Sequence, residues 1–230
     1  MKKKSSVVLL SAGLDSTVNL YAALAATDVK LAITFNYGQK SAVKEIDRSK
    51  KIAKVAGVPH QVIDLLWLKN LGQSSLTQDQ GIVPMGKSVS INNKKVSEKS
   101  AKTVWVPNRN GIFLNIAAAF AENLQADMII PGFNAEEAAT FPDNSLSFTK
   151  VVSKAFHFST ANHVQVQCYT ISMSKVEIVK LGKHLKAPFE LTWPCYLANE
   201  KWCGRCESCQ RAARAFKNAH VDVLRNFEKL

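Results

Sequence analysis

Short apolar runs alternate with segments of helical spacing along the first part of the chain. The runs Ser6–Leu10, Leu31–Tyr37 and Val62–Leu65 have the length and composition of buried strands. Between them, Thr17–Ala26 is rich in alanine, and Ser41–Ala56 repeats its apolar positions at helical intervals. This β-α-β-α-β order predicts parallel strands joined by right-handed crossovers, and therefore an α/β fold.

The alternation of predicted strands and helices stops after the third predicted strand and resumes after residue 102. Residues 66–102 are rich in serine, glutamine, asparagine, glycine and lysine, and we interpret them as a long insertion or lid. Ser174 and Glu177 have the spacing of a capping box, which predicts that a helix begins there and continues to about Leu185. Apolar periodicity predicts the other elements: helices at Gly111–Leu124, Ser147–Ser159 and Cys206–Asn218, and strands at Met128–Phe133 and His163–Ile171.

The length and the charge of the chain narrow the possible classes of protein. A chain of 230 residues suits one α/β domain, or such a domain with a small appendage. The net charge is +12, but no block of five like charges occurs, so a field that attracts a phosphorylated or acidic small molecule is a sufficient explanation. No apolar run approaches the roughly 18 residues of a membrane span, and Val7–Leu10 is too short for an export signal. We therefore expect a cytoplasmic protein without a membrane or nucleic-acid partner.

The segment Ser11–Ser16, with the sequence SAGLDS, follows the first predicted strand and precedes the first predicted helix. A glycine-containing turn at such a junction directs backbone N–H groups and a helix N-terminus towards one point, which makes an anion site. Ser11, Ser16 and Thr17 add hydroxyl donors, whereas Asp15 would repel a phosphate and is therefore expected to bind magnesium or to cap the helix. The alternative is a plain strand-to-helix turn without a ligand.

Four of the five cysteines fall within fifteen residues. Cys195, Cys203, Cys206 and Cys209 offer soft thiolates at spacings that suit a tetrahedral Zn²⁺ site, and an all-sulfur set predicts a structural metal. An iron–sulfur cluster is the second interpretation, because the close C-x2-C-x2-C run also suits one. Cys168 stands alone on an apolar strand face and is expected to be a buried core residue.

Several motifs together carry a resemblance to a known family. The SAGLDS segment is similar to the pyrophosphatase loop of the N-type ATP pyrophosphatases, whose usual form is Ser-Gly-Gly-x-Asp-Ser. Together with FNYGQ at 35–39, VPNRN at 106–110, FPDNS at 141–145 and the final cysteine segment, it resembles the 7-cyano-7-deazaguanine synthases of queuosine precursor synthesis. The match extends from residue 7 to about residue 216.

The resemblance implies a fold, a reaction and an assembly. The fold would be a Rossmann-like doubly wound parallel sheet of the adenine nucleotide α hydrolase type, with a small C-terminal zinc-binding segment. Residues 1–188 would form the ATP-binding domain, with the insertion at about 66–102, and residues 189–230 would form the zinc-binding segment and C-terminal helix. The enzyme would be a homodimeric ligase that uses ATP, Mg²⁺ and ammonia to convert 7-carboxy-7-deazaguanine to the nitrile, with Zn²⁺ as a structural ion.

The resemblance also assigns site residues. Ser11, Asp15, Ser16 and Arg109 would be catalytic, with Arg109 neutralising phosphate charge; the alternative for Arg109 is a surface salt bridge, and for Asn110 a turn or helix cap. Substrate would contact Arg109, Asn110, Phe133 and Asp143. The nucleotide would contact Leu10, Ser11, Ala12, Gly13, Leu14, Asp15, Ser16, Thr17, Val18, Asn19, Leu20, Phe35 and Tyr37.

Three departures from the family pattern qualify these expectations. Ala12 and Asn108 each replace a usual glycine, and asparagine tolerates a positive φ better than most residues. In the segment 132–145 the usual arginine is replaced by Ser145, and we expect Glu136 or Glu137 to compensate for the lost arginine or to face water.

Three alternative functions follow from these observations. The protein could transfer a deazaguanine carboxylate to another amine, it could be a tRNA-modifying member of the superfamily, or it could be a zinc-stabilised nucleotide-binding module without turnover.

Overall fold

The centre of the molecule is a parallel sheet of five strands in a computed structural model that describes residues 3–91 and 93–228. The strands are β1 (Ser5–Leu9), β2 (Asp28–Asn36), β3 (His60–Asp64), β4 (Met128–Ile130) and β5 (Gln165–Val166). Their order is β3-β2-β1-β4-β5, and every neighbouring pair is parallel. The order reverses direction between β1 and β4, which is the doubly wound arrangement expected from the sequence.

Eight α-helices connect and flank these strands within the described ranges. Their bounds are α1 (Leu14–Ala26), α2 (Ala42–Ala56), α3 (Lys94–Val104), α4 (Arg109–Asn123), α5 (Ala135–Ala138), α6 (Leu146–Ser159), α7 (Lys175–His184) and α8 (Glu207–Asn218). Local chemistry fixes several ends. Helix α2 ends at Gly57, whose φ is 67°, and α7 begins at the predicted capping box of Ser174 and Glu177.

The two faces of the sheet bury separate hydrophobic clusters. Val7 and Val8 are adjacent on β1 and fully buried, yet they belong to different clusters, because successive side chains of a strand point to opposite faces. One cluster packs α1, α7 and α8 against the sheet, and the other packs α4 and α6. The central strands are therefore apolar on both faces, with Ser6 and Thr34 as buried polar exceptions, which is why they read as largely continuous apolar runs.

The C-terminal segment packs against the first of these clusters. Trp202 and Phe216 are almost fully buried and lie in the same cluster as Val8 of the central strand. Residues 1–2 of the predicted ATP-binding domain and residues 229–230 of the predicted zinc-binding segment lie outside the described residues. Residue 92 of the predicted insertion also lies outside them. No helix in the described part of the chain is long and apolar enough to cross a membrane.

Some element boundaries differ from the sequence prediction. Helix α1 begins at Leu14 rather than Thr17, because Gly13 serves as its N-cap and the Leu-Asp-Ser triplet forms its first turn. Strand β5 covers only residues 165–166 of the predicted 163–171, although Val164, Val166 and Cys168 are buried as their alternation predicts. The predicted insertion is partly helical, since it contains most of α3, which ends two residues beyond it, and short 3-10 turns.

Candidate active site and metal centre

A cavity opens beyond the carboxyl ends of β1, β2 and β4, where the strand order reverses. This is the place at which open parallel sheets bind ligands. It brings together most of the site residues predicted from the sequence: Leu10, Ser11, Gly13, Leu14, Asp15, Ser16, Phe35, Tyr37, Arg109, Asn110, Phe133 and Asp143. Cys195 also reaches its wall, so the cavity adjoins the cysteine cluster.

The loop between β1 and α1 is held by its own serines. The Ser16 hydroxyl lies 3.1 Å from the Ser11 hydroxyl, accepts from the Ser11 amide at 3.2 Å and donates to the Gly13 carbonyl at 3.2 Å. Gly13 is the N-cap residue of α1, and as a glycine it has no side chain to accept from the first amides of the helix. The first amides of a helix have no intrahelical acceptor, so this turn presents N–H groups and the positive end of the helix dipole to the cavity.

Ala12 adopts a backbone conformation that favours glycine. Its φ is 58°, in the left-handed region, which costs a residue with a Cβ about 1–2 kcal/mol. Its carbonyl accepts a hydrogen bond of 2.7 Å from the amide of Trp193, and its side chain is fully buried. The rest of the fold therefore holds the strained residue in place, although the usual glycine is missing.

Gly132 lies directly against the first turn of α1. A Cβ added to Gly132 would lie 2.6 Å from the amide nitrogen of Ser16 and 2.7 Å from its Cα. Both neighbours are backbone atoms that cannot rotate away. The end of β4 and the first turn of α1 thus approach closely because this residue has no side chain.

A buried ion cluster lies behind this turn. Lys175 Nζ donates to Asp15 Oδ2 at 2.5 Å and to Glu137 Oε1 at 2.7 Å, and the Lys175 side chain is only 7% exposed. Burial raises the pKa of Asp15 to about 6 despite the attraction of Lys175. Burial also opposes the charge of Lys175, but the two carboxylates outweigh it and raise the pKa of the ammonium. At neutral pH the cluster is therefore charged on both sides.

One oxygen of Asp15 stays unpaired. Asp15 Oδ1 is buried and has no hydrogen-bond partner among the described residues, whereas Oδ2 accepts from Lys175 and, at 3.3 Å, from Asn134. A buried carboxylate oxygen without a donor is costly unless a cation or water occupies the position. The oxygen is thus free to take an additional ligand.

Arg109 is the first residue of α4 and reaches back to the end of β2. Its Nη1 donates to the Tyr37 hydroxyl at 3.3 Å, and its guanidinium carbon lies 5.7 Å from the centre of the Tyr37 ring. Burial raises the pKa of Asp143 above its ordinary value, although the charge of Arg109 opposes the shift. Asn108, which precedes Arg109, has a φ of 50°, so the expectation that asparagine fills a glycine-like position is confirmed.

Two pairs of aromatic rings line the cavity. Phe35 and Phe113 are in direct contact, with ring centres 4.1 Å apart and an interplanar angle of 16°. Trp105 and Phe141 are also parallel, at 5°, but their ring centres are 6.1 Å apart. These rings give the cavity planar apolar surfaces beside its charged groups.

Some of the residues predicted to contact the nucleotide do not line the cavity: Ala12, Thr17, Val18, Asn19 and Leu20. All five are fully buried in the interior. Asn19 instead bonds to the segment around residue 170, since its Nδ2 donates to the Thr170 hydroxyl at 2.6 Å and its Oδ1 accepts from the Tyr169 amide at 2.9 Å. In this structure their contribution to the site is to hold α1 in position.

The four clustered cysteines form a compact, buried group. Their sulfur atoms all lie within 4.8 Å of one another, and those of Cys203 and Cys209 are 3.9 Å apart. Tetrahedral zinc with Zn–S bonds of about 2.3 Å requires sulfurs about 3.8 Å apart, so the set fits that ion. Gly204 turns the chain with a φ of 69°, and the amides of Arg205 and Cys206 donate to Cys203 Sγ at 3.5 and 3.3 Å.

Helix α8 begins immediately after Cys206 and connects the cysteine group to the cavity. Arg211 of α8 donates to Glu207 at 2.7 Å and to Glu136 of α5 at 3.4 Å, and Arg214 also donates to Glu136. Both arginines therefore pair with carboxylates. Glu136 is committed to this pairing, whereas Glu137 faces the cavity.

Several cavity residues have no sequence motif that identifies them. Lys175 occupies the first turn of a helix whose capping box is obvious, but nothing nearby indicates that its ammonium is buried. Glu45 of α2 is another: it accepts from Ser41 at 2.5 Å and from Gln39 at 2.9 Å, and burial raises its pKa. Lys175 and Glu45 are distinguished only by the burial of their charges, and a single sequence does not reveal which charges are buried.

Comparison with known proteins places the chain in a family. Residues 5–220 match the family described as "Queuosine biosynthesis protein QueC". A protein named 7-cyano-7-deazaguanine synthase from Bdellovibrio bacteriovorus is 57% identical over 99% of both chains. Proteins of the same name from Desulforamulus reducens and Carboxydothermus hydrogenoformans are 47% and 49% identical, over 97% and 92% of this chain and 98% of each relative. The chain therefore belongs to the QueC family of queuosine biosynthesis proteins.

Proposed function

We propose that this protein is an ATP-dependent ligase that converts 7-carboxy-7-deazaguanine and ammonia to 7-cyano-7-deazaguanine. The observation that carries the proposal is the helix N-terminus at Gly13–Ser16, which opens into the same cavity as the predicted substrate residues. The name of relatives at 40–57% identity over nearly the whole chain supports the same reaction.

The chemistry proceeds through two activations. A carboxylate oxygen attacks the α-phosphorus of ATP, pyrophosphate leaves, and an acyl-adenylate forms. Ammonia then attacks the acyl carbon, AMP leaves with the original oxygen, and the product is an amide. The amide oxygen attacks a second ATP in the same way, after which AMP leaves, the nitrogen loses its protons, and the nitrile remains. A single nucleotide site serves both steps if the amide stays bound.

The charges in the cavity support a role for magnesium. Within the described residues, its lining carries five carboxylates, on Asp15, Glu45, Glu137, Asp143 and Glu207, and three cations, on Arg109, Lys175 and Arg211. A triphosphate added to this surplus of negative charge needs a counter-ion. The unpaired Asp15 Oδ1 fits such an ion, because magnesium takes carboxylate oxygens together with substrate phosphates.

The protein's own groups then have separate roles. The Ser11 and Ser16 hydroxyls and the first amides of α1 bind phosphate oxygens, while Lys175 and Arg109 balance their charge. Asn110, Phe133 and Asp143 face the substrate. Because these groups are fixed before the reaction, they stabilise the charge that develops at the α-phosphorus without reorganising.

We propose that zinc occupies the group of Cys195, Cys203, Cys206 and Cys209 and has a structural role. With all four positions taken by sulfur, the ion has no open site for substrate. It would fix the start of α8 and thereby hold Arg211 at the cavity wall. In this scheme residues 1–188 supply the nucleotide site and residues 189–230 supply the zinc-binding segment.

Incubation of the purified protein with ATP, magnesium, ammonium and 7-carboxy-7-deazaguanine, followed by mass spectrometry, tests the function. Nitrile together with AMP supports it, and Asp15→Asn should abolish both products while Lys183→Met, an exposed change on α7, should not. AMP with an amide as the final product would favour the alternative of transfer to an amine. Absence of AMP would refute ATP-dependent adenylation altogether.

Two further parts of the proposal concern the assembly and the nitrogen source. We propose a homodimer, which light scattering at micromolar concentration tests directly. Ammonia as the donor is tested by ¹⁵N-ammonium, which should add one mass unit to the nitrile. Unlabelled nitrile formed in the presence of an amide donor would contradict free ammonia as the source.

A further inference from the structure

Glu45 of α2 lines the cavity, and the reaction described above gives it no role. Both of its carboxylate oxygens are held: Oε1 accepts from the Ser41 hydroxyl at 2.5 Å, and Oε2 accepts from Gln39 Nε2 at 2.9 Å. Gln39 is itself fixed, because its Oε1 accepts from the Tyr37 amide at 2.9 Å and its Nε2 also donates to the Phe35 carbonyl at 3.1 Å. The carboxylate therefore has a defined position beside the end of β2.

The negative charge of Glu45 is not balanced by a contacting cation. Three of the other carboxylates that line the cavity have a cation at 2.7 Å or less: Asp15, Glu137 and Glu207. Glu45 forms no ion pair with any side chain that the structure describes, and Asp143, which also forms none, faces the substrate in the proposed reaction. Arg109 and Tyr37 are the ionisable groups whose charges act on Glu45, but Arg109 Nη1 donates to the Tyr37 hydroxyl at 3.3 Å. A cationic ligand would balance this carboxylate.

Ammonia is the reactant that reaches the cavity as a cation. ATP and the carboxylate substrate are anions, whereas ammonia in neutral water is present mainly as ammonium. Ammonium has four N–H donors and no lone pair, so it suits an ionised carboxylate, which only accepts hydrogen bonds. Burial raises the pKa of Glu45 above its ordinary value, although the hydrogen bonds from Ser41 and Gln39 oppose the shift. The shift makes this carboxylate a better proton acceptor than an exposed glutamate.

We propose that Glu45 binds ammonium in the cavity and accepts one of its protons, which generates ammonia beside the acyl-adenylate. This assignment rests on the proposed function and adds a catalytic residue to it. One N–H bond of ammonium breaks and its proton passes to the carboxylate. The freed lone pair forms the C–N bond, and the bond from the acyl carbon to the AMP oxygen breaks with its electrons on AMP. A second proton passes from nitrogen to water, and Glu45 releases its own proton to water before the next cycle.

Steady-state kinetics of Glu45→Gln test the assignment, because glutamine keeps the size of the side chain but has no charge and accepts no proton. At pH 8.0 the KM for ammonium should rise about tenfold or more, the usual worth of a hydrogen bond to a charged group. The KM for ATP and the KM for the acid should each change by less than about twofold, which also reports that the variant is folded. Asp47→Asn is the matched control, since this half-exposed carboxylate lies on the same helix and should leave all three values unchanged.

Hydroxylamine separates the charge of Glu45 from a structural effect. At pH 8.0 hydroxylamine is uncharged and has a free lone pair, so it needs neither a counter-charge nor a base before it attacks the acyl-adenylate. Glu45→Gln should therefore form the hydroxamate, measured by mass spectrometry, at close to the wild-type rate. An equal loss with ammonium and hydroxylamine would overturn the assignment, as would an increase in the KM for the acid in place of the KM for ammonium.

Cation binding provides a readout that does not depend on turnover. Crystals soaked in thallium(I), a monovalent cation similar in size to ammonium, should show an anomalous peak in contact with the Glu45 carboxylate, and Glu45→Gln should lose this peak. Absence of the peak in the wild type would overturn ammonium binding at Glu45. If the wild type shows the peak but forms no nitrile, the proposed function fails and the cation site stands.

Discussion

The buried ammonium of Lys175 allows a sharp test of the electrostatics of the site. Lys175→Met keeps the length and apolar stem of the side chain but removes its charge. Asp15 and Glu137 would then face each other without the cation that now lies 2.5 and 2.7 Å from them. The side chains of Lys175 and Asp15 are only 7% and 11% exposed, so water cannot replace the lost partner.

The expected loss is large at alkaline pH and smaller at acidic pH. Removing one partner of a buried ion pair destabilises a protein by about 3–5 kcal/mol. The pKa of Asp15 is already about 6, and losing the attraction of Lys175 must raise it further. As the pH falls towards 6, the variant protonates Asp15 and no longer buries an unpaired charge there. The destabilisation relative to wild type should therefore shrink as the pH decreases.

Urea unfolding at pH 8.0 and pH 6.0 measures the loss of stability in Lys175→Met and its dependence on pH. Lys183→Met, on the exposed face of the same helix, should leave the free energy of unfolding within about 0.5 kcal/mol of wild type. Adding Asp15→Asn to Lys175→Met should restore part of the loss, because the unpaired carboxylate is then gone. A loss below about 1 kcal/mol at pH 8.0, or an equal loss at both pH values, would refute the buried ion cluster.

Further predictions concern backbone positions and the metal. Gly132→Ala adds a Cβ that would lie 2.6 Å from the backbone nitrogen of Ser16. By displacing the turn that we propose to bind phosphate, it should lower kcat/KM for ATP at least about tenfold, and unaltered kinetics would contradict the close approach. Ala12→Gly relieves about 1–2 kcal/mol of backbone strain. Against this, it removes a buried methyl group and gives the unfolded chain more conformational freedom. The free energy of unfolding, measured in urea, should therefore change by less than about 1 kcal/mol. Cys209→Ser should remove most of the bound metal, measured by elemental analysis, whereas Cys168→Ser should retain it; iron in place of zinc in the wild type would favour the alternative cluster.

Patterns that depend on neighbouring residues could be predicted from the sequence. The alternation of strands and helices gave the parallel sheet, because apolar periodicity reports burial directly. The SAGLDS segment was placed at its strand–helix junction, and the four cysteines were identified as one group by spacing alone. Each of these signals is built from local patterns of about twenty residues or fewer, which for the sheet repeat along the chain, and the structure confirms where each pattern lies in the fold.

Contacts between distant segments could not be predicted in the same way. Lys175 meets Asp15 only because α7 packs beside α1, and Trp105 meets Phe141 only because the end of α3 docks over the turn before α6. The sequence predicts the start of α1 three residues too late for a related reason: serine and aspartate favour helix caps and turns, so local composition does not show that the triplet 14–16 is already helical. These features arise from tertiary packing, and local patterns do not encode them.

The hydrogen bond from the Trp193 amide to the Ala12 carbonyl has a consequence for the order of synthesis. The ribosome makes residue 12 long before residue 193, which supplies the partner of its carbonyl. Domains generally fold as units, with N-terminal parts available first. Here the nascent turn between β1 and α1 lacks this hydrogen bond until the segment around residue 193 has been made. A ribosome that stops before residue 193 therefore releases a chain in which the strained residue Ala12 has no Trp193 amide to hold it.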